Sequence, residues 1–224
     1  MRSEVKKYDK FVLLDICDEK PGEWAASNAT NLRVRLPSLP DHEVLMMERG
    51  FFLADRTIGT SINIPGCTLD LNRLIRMKVD ETSEYKEEVA KIAKSSFTYD
   101  RRFHIRPQCD MSIAGFILEE WIDTLDKCFV CMYKDAPVGF LALKETEPDT
   151  LFVHLAAVMK PYRASGAAMS LYAKALQTAK ERGYKKLNGR ISTLNMSVMN
   201  LYAYLGARFS DPEDIFLKEL KQWS

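Results

Sequence analysis

The sequence lacks any apolar run that approaches the roughly 20 residues of a membrane-spanning helix. It also lacks an excess of charge of either sign, because 32 lysines and arginines stand against 31 aspartates and glutamates. A balance of this kind gives no electrostatic support for a nucleic acid or an anionic membrane as partner. Residues 1–7 have no signal-peptide pattern, which predicts a cytoplasmic protein. We therefore expect no nucleic-acid partner and no membrane partner.

Cysteine is scarce, with five residues scattered through the chain. An odd, scattered set is typical of reduced thiols in a cytosol. Cys128 and Cys131 formally make a CxxC pair, but they lie in an apolar run that predicts a strand. Positions three apart on a strand point to opposite faces, and no second pair completes a ligand set. The pattern predicts buried structural thiols and no metal site.

Patterning divides the 224 residues into two predicted domains, residues 1–72 and 73–224. In the first, the period-two alternation of 32–36 predicts a half-buried strand, and 41–49 predicts a helix that ends before Gly50. Further strands are predicted at 11–16, 51–54 and 57–64. Residues 1–72 carry no recognisable catalytic motif. We expect a small αβ module that packs against the rest and shapes a binding cleft.

Residues 73–224 alternate between strand and helix patterns, which indicates an α/β fold. The predicted strands are 75–79, 129–133, 138–144, 151–159, 186–191 and 214–220. The predicted helices begin with one capped by Thr82 or Ser83, and continue with 110–125, 166–182 and 197–204. No internal repeat or low-complexity segment interrupts this order.

The turn 161–168 joins a predicted strand to a predicted helix and is rich in Gly, Ala and Ser. Small residues let backbone N–H groups approach a ligand without obstruction by Cβ atoms. The first turn of the helix adds unpaired N–H donors and a positive dipole end, a combination that binds pyrophosphate. The turn has neither P-loop spacing nor GxGxxG. Close packing of a helix start explains the same small residues, so both interpretations stay open.

Two motifs in the last third of the chain resemble those of the GCN5-related N-acetyltransferase (GNAT) superfamily. The first follows a predicted strand and reads Arg163-x-x-Gly166-x-Ala168. The second reads Asn195-x-x-Val198-x-x-Leu201-Tyr202-x-x-x-Gly206-Ala207-x-Phe209. The resemblance implies a GNAT fold over residues 73–224, with a mixed, mostly antiparallel sheet flanked by helices. It also implies direct transfer of an acetyl group from acetyl-CoA to a primary amine of a small molecule.

The resemblance assigns roles in binding coenzyme A. The strand before the turn, with Ala156 and Val158, is expected to pair with the pantetheine arm. The pyrophosphate is expected at the backbone amides of Arg163, Ala164, Ser165, Gly166, Ala167 and Ala168. The Arg163 side chain is expected to add positive charge there, and a solvated surface arginine is the alternative. Asn195 is expected to contact the pantetheine arm, or else to cap the helix that follows it.

The same resemblance gives Tyr202 the role of general acid, which protonates the coenzyme A thiolate as it leaves. A core tyrosine on an apolar helix face is the alternative. Tyr204 is the substitute candidate, although a helix turns it about 200° away from Tyr202. His154 lies where many family members carry a glutamate that helps to deprotonate the amine, and histidine titrates near neutrality. A structural histidine on a strand is the alternative.

A narrower resemblance, to the dTDP-fucosamine acetyltransferase group, rests on short motifs at 48–53 and 99–104 and on a helix that contains Glu119-Glu120-Trp121-Ile122. It implies that the acceptor is an amino sugar linked to a nucleotide. Arg101, Arg102 and His104 are then candidates for binding this substrate, since arginine suits bidentate contacts with a diphosphate. An exposed basic loop is the alternative.

Other acceptors and another class of function stay open. An amino acid, a polyamine or a peptide N-terminus is an alternative acceptor, although the basic cluster at 99–106 disfavours a polyamine. A non-catalytic module that binds acyl-CoA is the alternative class, and Tyr202 in the acid position argues against it. The exposed edges of a small sheet make a homodimer a further expectation.

Overall fold

The computed structural model describes residues 1–8, 11–22, 24, 29–96 and 128–220. The strands in this part of the chain are β1 (Arg2–Tyr8), β2 (Phe11–Cys17), β3 (Asn31–Pro37), β4 (Phe52–Asn63), β5 (Lys78–Thr82), β6 (Cys128–Tyr133), β7 (Ala136–Glu147), β8 (Thr150–Val158), β9 (Lys186–Ser192) and β10 (Arg208–Glu219). The helices are α1 (Pro40–Glu48), α2 (Leu71–Leu74), α3 (Lys86–Ser96), α4 (Ala167–Glu181) and α5 (Met196–Tyr204). One turn of 3-10 helix, Lys160–Tyr162, precedes α4.

The ten described strands form one sheet, in the order β1-β2-β3-β10-β4-β9-β8-β7-β6-β5. The β2–β3 and β8–β9 pairs are parallel, and the other described pairs are antiparallel. The predicted fold class is therefore confirmed: a mixed, mostly antiparallel sheet flanked by helices. None of the helices in the described ranges has the length and apolarity needed to span a bilayer.

Helices α3 and α4 pack on opposite faces of the sheet. On one face, Leu171 and Leu176 of α4 pack with Leu187 of β9 in a core that also includes Tyr202 of α5. On the opposite face, Val89 and Ile92 of α3 pack with Phe140 and Leu155 in a second core. Burying each large apolar side chain contributes about 1.5–3 kcal/mol. Because a slip of one residue would turn these side chains to the wrong face, the two cores fix the register of the strands.

Strand β4 lies between β9 and β10, although it comes from the first third of the chain. It pairs with β9 from Thr57↔Ser192 to Asn63↔Lys186, and with β10 along its other edge. Arg56 of β4 also forms an ion pair with Asp214 of β10, whose side chain is fully buried. The division into residues 1–72 and 73–224 stays a prediction, and the sheet runs continuously across that boundary.

Several predicted boundaries of strands differ from the observed ones, and for one strand the cause is a contact with a distant residue. The strand predicted at 75–79 begins only at Lys78, because the preceding N–H groups of Arg76 and Met77 donate to the Ser170 hydroxyl. The two strands predicted at 51–54 and 57–64 are one strand, β4, with a register shift in its pairing to β10. Strand β1 was not among the predicted strands, and β10 begins at Arg208 rather than at 214. The helix predicted at 110–125 lies outside the described residues.

The other predicted elements are confirmed to within a few residues. Helix α1 ends before Gly50, which has a φ of 77° and continues the chain in the left-handed region that glycine favours. Lys134 and Asp135 join β6 to β7 with φ values of 47° and 62°. Positive φ at both central residues is the requirement of a type I′ hairpin turn, which matches the twist of the two strands.

Candidate active site

A gap opens between β8 and β9. The two strands pair only from Thr150↔Lys186 to Phe152↔Asn188, although β8 continues to Val158 and β9 to Ser192. The gap begins beside a bulge in β8, because Leu155 pairs with Ala142 of β7 whereas Val153 pairs with the adjacent Leu143. His154 is the extra residue of this bulge. A bulge bends its strand, so β8 turns away from β9 at this point.

Backbone groups that pair with no neighbouring strand line both sides of the gap. The Met159 N–H donates to the Val138 carbonyl oxygen at 2.9 Å, which makes Val158↔Gly139 a non-hydrogen-bonded pair of the antiparallel ladder. The N–H and C=O groups of Val158, and those of Ala156 two residues earlier, therefore point away from β7 into the gap. On β9, the pairing to β4 turns the backbone groups of Arg190 toward the gap in the same way. An extended ligand with amide groups can pair with these edges.

The turn before α4 presents three free backbone amides. Arg163 N–H and Ser165 N–H already donate to carbonyl oxygens of the 3-10 turn, at 3.4 and 3.1 Å, and Ala167 N–H donates to the Ser165 hydroxyl at 3.4 Å. Within the described ranges, the amides of Ala164, Gly166 and Ala168 have no acceptor. Gly166 has a φ of 87°, which only glycine adopts at no cost. The free amides lie at the positive end of a 15-residue helix, where an anion is stabilised.

Two arginines flank this turn. The exposed Arg163 donates from Nε to the carbonyl oxygen of Val158 at 3.1 Å, so its guanidinium lies at the end of the gap. Arg76 comes from the connection between α2 and β5, and its Cδ lies 3.9 Å from the place where a Cβ of Gly166 would be. Arg76 was not among the predicted site residues, because nothing in its local pattern relates it to residues 163–168.

Ser170 explains why Arg76 lies there. Its side chain is fully buried in the first turns of α4, and its Oγ accepts the N–H groups of Arg76 and Met77 at 3.0 and 3.2 Å. The same hydroxyl donates to the Gly166 carbonyl oxygen at 3.1 Å. The connection between α2 and β5 is therefore tied to the start of α4 through one side chain.

Tyr202 lies against the backbone of β9 where the gap begins. Its side chain is 1% exposed, and a Cβ added to Gly189 would be 2.5 Å from its hydroxyl oxygen. Tyr172 of α4 donates a hydrogen bond to that hydroxyl at 3.2 Å. Burial raises the pKa of Tyr202, and the hydrogen bond from Tyr172 acts in the opposite direction. Tyr204, the substitute candidate, is 56% exposed and lies outside this core.

The remaining candidate residues are less closely grouped. His154 is half-buried at the bulge of β8, and its role as a base stays a prediction. Asn195 is exposed and caps α5, since its Oδ1 accepts the Val198 N–H at 3.2 Å; its contact with a cofactor stays a prediction. Arg101, Arg102 and His104 lie outside the described residues.

Cys128 and Cys131 do not form a reactive site. Cys128 belongs to the core under α3, and Cys131 to the core under α4, so the prediction that they face opposite ways is confirmed. Burial raises the pKa of both thiols to about 11, which keeps them protonated at neutral pH. The described residues contain no group of three His, Cys, Asp or Glu side chains placed to hold a metal ion.

The gap and the turn lie in a segment of the sequence that matches a known protein family. A family model described as the acetyltransferase (GNAT) family matches residues 87–207, which is more than half of the chain. The matched segment includes β8, the turn, α4, β9 and α5. No curated protein sequence matches the chain.

Solved structures share the fold at low sequence identity. A conserved protein of unknown function from Staphylococcus epidermidis is 15% identical with a TM-score of 0.65, over 85% of this chain and 73% of that one. A GCN5-related N-acetyltransferase from Sphaerobacter thermophilus is 13% identical with a TM-score of 0.60, over 84% of this chain and 59% of that one. The glucosamine N-acetyltransferase region of a fungal multi-domain β-N-acetylglucosaminidase is 9% identical with a TM-score of 0.63, over 96% of this chain and 31% of that one. The chain spans less than two thirds of the last two proteins, and the likeness is one of fold.

Proposed function

Because the chain belongs to the acetyltransferase (GNAT) family, we propose that it transfers the acetyl group of acetyl-CoA directly to a primary amine of a small molecule. The observation that carries this proposal is the gap between β8 and β9, with backbone groups on both edges that pair with no strand and free amides at one end. Burial raises the pKa of the Cys128 and Cys131 thiols to about 11, which disfavours a covalent intermediate on either of them.

The chemistry of the described residues fits coenzyme A. The pantetheine arm carries amide groups, which match the N–H and C=O groups that Ala156 and Val158 direct into the gap. The pyrophosphate suits the free amides of the turn at the positive end of α4. Arg163 and Arg76 add positive charge at the same place. The Val158 carbonyl oxygen accepts a hydrogen bond from the Arg163 guanidinium. This hydrogen bond has to break when the pantetheine arm pairs with Val158, and the guanidinium is then free to bind the phosphates.

Tyr202 is proposed as the general acid. The amine attacks the thioester carbonyl, the C–S bond breaks, and the sulfur leaves as a thiolate that needs a proton. Tyr172 donates to the Tyr202 oxygen, so the Tyr202 proton stays available for donation to another atom. His154 at the bulge is proposed to take the proton that the amine loses, directly or through water, because it lies on the strand that borders the gap.

An amino sugar linked to a nucleotide is the proposed acceptor. The resemblance of 99–104 to the dTDP-fucosamine acetyltransferase group supports it, with Arg101, Arg102 and His104 as the proposed contacts. The region of the fungal protein that shares the fold is named a glucosamine N-acetyltransferase. Its name therefore gives an amino sugar as the acceptor of one protein with this fold. Another small amine and a non-catalytic acyl-CoA module are the competing proposals. A cytoplasmic location and a homodimer also stay predictions.

The deciding experiment measures thiol release from acetyl-CoA with a panel of dTDP-amino sugars, free amino sugars, amino acids, polyamines and peptides. Turnover with one acceptor supports the enzyme, whereas tight binding of acetyl-CoA without turnover on any acceptor supports the acyl-CoA module. The absence of any acetyl-CoA binding overturns the proposed site.

The position of the cofactor is tested with Arg163→Ala and with acetyl-pantetheine, which lacks the pyrophosphate. We expect the variant to raise KM for acetyl-CoA by roughly tenfold, the loss of one charged hydrogen bond, and to leave KM for acetyl-pantetheine unchanged. Arg73→Ala removes an exposed arginine on α2 and is the matched control. An equal effect of Arg163→Ala on both donors would place Arg163 away from the phosphates.

A further inference from the structure

Asn188 carries a buried acceptor atom that the fold does not use. Its Oδ1 is inaccessible to solvent and has no hydrogen-bond partner. The described residues provide no partner for its Nδ2 either. Native proteins rarely leave a buried polar atom unpaired, because the atom has lost its water without a replacement. An orphan of this kind needs an explanation, and a missing ligand is one.

The position of Asn188 relates this orphan to the gap. Phe152↔Asn188 is the last pair between β8 and β9, so Asn188 stands where the gap begins. Its neighbours Leu187 and Gly189 face the core that contains Tyr202. Because side chains alternate along a strand, the Asn188 side chain faces the opposite side of the sheet.

The two faces of the gap are available to different reactants. On the α4 face, Tyr202 and its packed neighbours fill the space behind β9, and the free amides before α4 mark the end at which coenzyme A is proposed to enter. An amine that attacks a thioester held in the gap therefore has to come from the face on which Asn188 lies.

We infer that the side-chain carbonyl of Asn188 accepts an N–H of the acceptor amine and holds the amine beside the thioester. This inference rests on the proposed acetyl transfer. Since no described hydrogen bond fixes the side-chain amide, it can turn about its last torsion, which is broad and nearly two-fold, and present Oδ1 to the incoming amine without breaking a hydrogen bond to a described residue. Asn188 is thus a residue that positions the acceptor.

Two charged groups of β4 and β9 on the same face are committed to other partners. Asp55 of β4 accepts from the Ser192 hydroxyl and from the Arg56 N–H, at 2.8 and 2.9 Å. Arg190 of β9 pairs with Glu213 of β10 at 3.2 Å. On β8, His154 lies at the bulge. A neutral amide oxygen binds the uncharged amine without stabilising its protonated form as a carboxylate would, and only the uncharged amine attacks.

Asn188→Leu tests the contact, because leucine keeps the volume and removes the acceptor. We expect KM for the acceptor amine to rise roughly tenfold, the loss of one hydrogen bond, while KM for acetyl-CoA stays within about twofold. Asn63→Leu is the matched control on β4, where Asn63 accepts the Gly66 N–H at 3.3 Å. That control should leave both KM values unchanged and lower the unfolding temperature.

The unfolding temperature of Asn188→Leu tests the inference without any amine substrate. Because the orphan oxygen makes no bond in the folded protein, the variant should be as stable as the parent or more stable. A fall as large as that of Asn63→Leu would mean that Asn188 is hydrogen-bonded within the fold, and would overturn the inference while leaving the proposed acetyl transfer intact.

Asn188→Asp supplies a readout that a purely structural role would not change. A carboxylate beside the bound amine favours its charged form, so the pKa of the bound amine rises and the acidic limb of the kcat–pH profile moves to higher pH. We expect a shift of about one pH unit, which is tenfold in the protonation equilibrium. An unshifted limb in an active variant would remove Asn188 from the acceptor site. Absence of turnover in the parent protein with every acceptor would instead overturn the proposed function and, with it, this inference.

Discussion

The hydroxyl oxygens of Tyr172 and Tyr202 lie 3.2 Å apart in the core beneath the gap, with Tyr172 as donor. Burial raises the pKa of both phenols, and that of Tyr172 is raised well above its ordinary value of 10.0. Both groups therefore stay neutral at physiological pH. A neutral Tyr202 that receives a hydrogen bond has its own proton left for donation, which is the state that a general acid requires.

Tyr202→Phe is expected to lower kcat by about 10²–10⁴-fold, the usual range for loss of a general acid. Binding of acetyl-CoA should not change, because the ring remains. The measurement is steady-state turnover together with the Kd for acetyl-CoA from calorimetry. Tyr204→Phe is the control, since Tyr204 is two positions on in the same helix and 56% exposed. Equal activity of Tyr202→Phe and the parent would make Tyr202 a core residue only.

Gly189→Ala is expected to displace the Tyr202 phenol. The added methyl carbon would be 2.5 Å from its hydroxyl oxygen and 3.0 Å from Oγ1 of Thr60. Overpacking of this kind costs about 1–3 kcal/mol of unfolding free energy, and kcat should fall as well. A double-mutant cycle with Tyr202→Phe checks the cause, because removal of the hydroxyl removes the nearest atom. The same loss of stability in both backgrounds would show that the hydroxyl does not lie against Gly189.

Ser170→Ala is expected to weaken both the fold and the binding of acetyl-CoA. It leaves the N–H groups of Arg76 and Met77 without their acceptor, at a cost of about 1–3 kcal/mol. Arg76 is then no longer held beside Gly166, so the Kd for acetyl-CoA should rise. Ser95→Ala removes an exposed hydroxyl from α3 and should change stability by less than about 0.5 kcal/mol. A loss of stability with unchanged Kd would remove Arg76 from the phosphate site.

Alkylation by iodoacetamide is expected to distinguish the cysteines. The thiolate is the reactive form, and burial raises the pKa of Cys128 and Cys131 from 9.0 to about 11. Below that pH, their thiolate fraction should increase tenfold for each pH unit. At pH 8 the half-buried Cys17 and Cys67 should react first, as peptide mapping would show. Equal alkylation rates for these four cysteines in the folded protein would contradict the burial of Cys128 and Cys131. In urea, which unfolds the protein, we expect the four rates to be equal.

The sequence predicted correctly those features that depend on residues close together in the chain. The spacing of Leu171, Tyr172 and Ala175 predicted α4. Of the six amides predicted to be accessible at 163–168, those of Ala164, Gly166 and Ala168 are free. The alternation around Cys128 and Cys131 correctly placed them on opposite faces. Each of these properties depends on residues within one or two turns of helix or a few positions of strand.

Features set by distant residues were not predicted. The strand at 75–79 was placed too early because Ser170, which lies far along the chain, takes the amides that a ladder would otherwise use. Asn188 is one polar residue of an alternating strand, and only the end of the β8–β9 pairing gives it a special position. The place of β4 beside β9 could not be predicted either, because no local pattern identifies a strand's partner.

Strand β4 has a consequence for how the protein is made. Both strands that pair with it, β9 and β10, belong to the last part of the chain. During synthesis β4 therefore emerges with both edges open, and they stay open until β9 and β10 have been made. Such long-range pairing is slow, and open strand edges invite association with other chains. The sheet that forms the gap is completed only after β10 has emerged, and yield in the cell should depend on how well the nascent chain is protected until then.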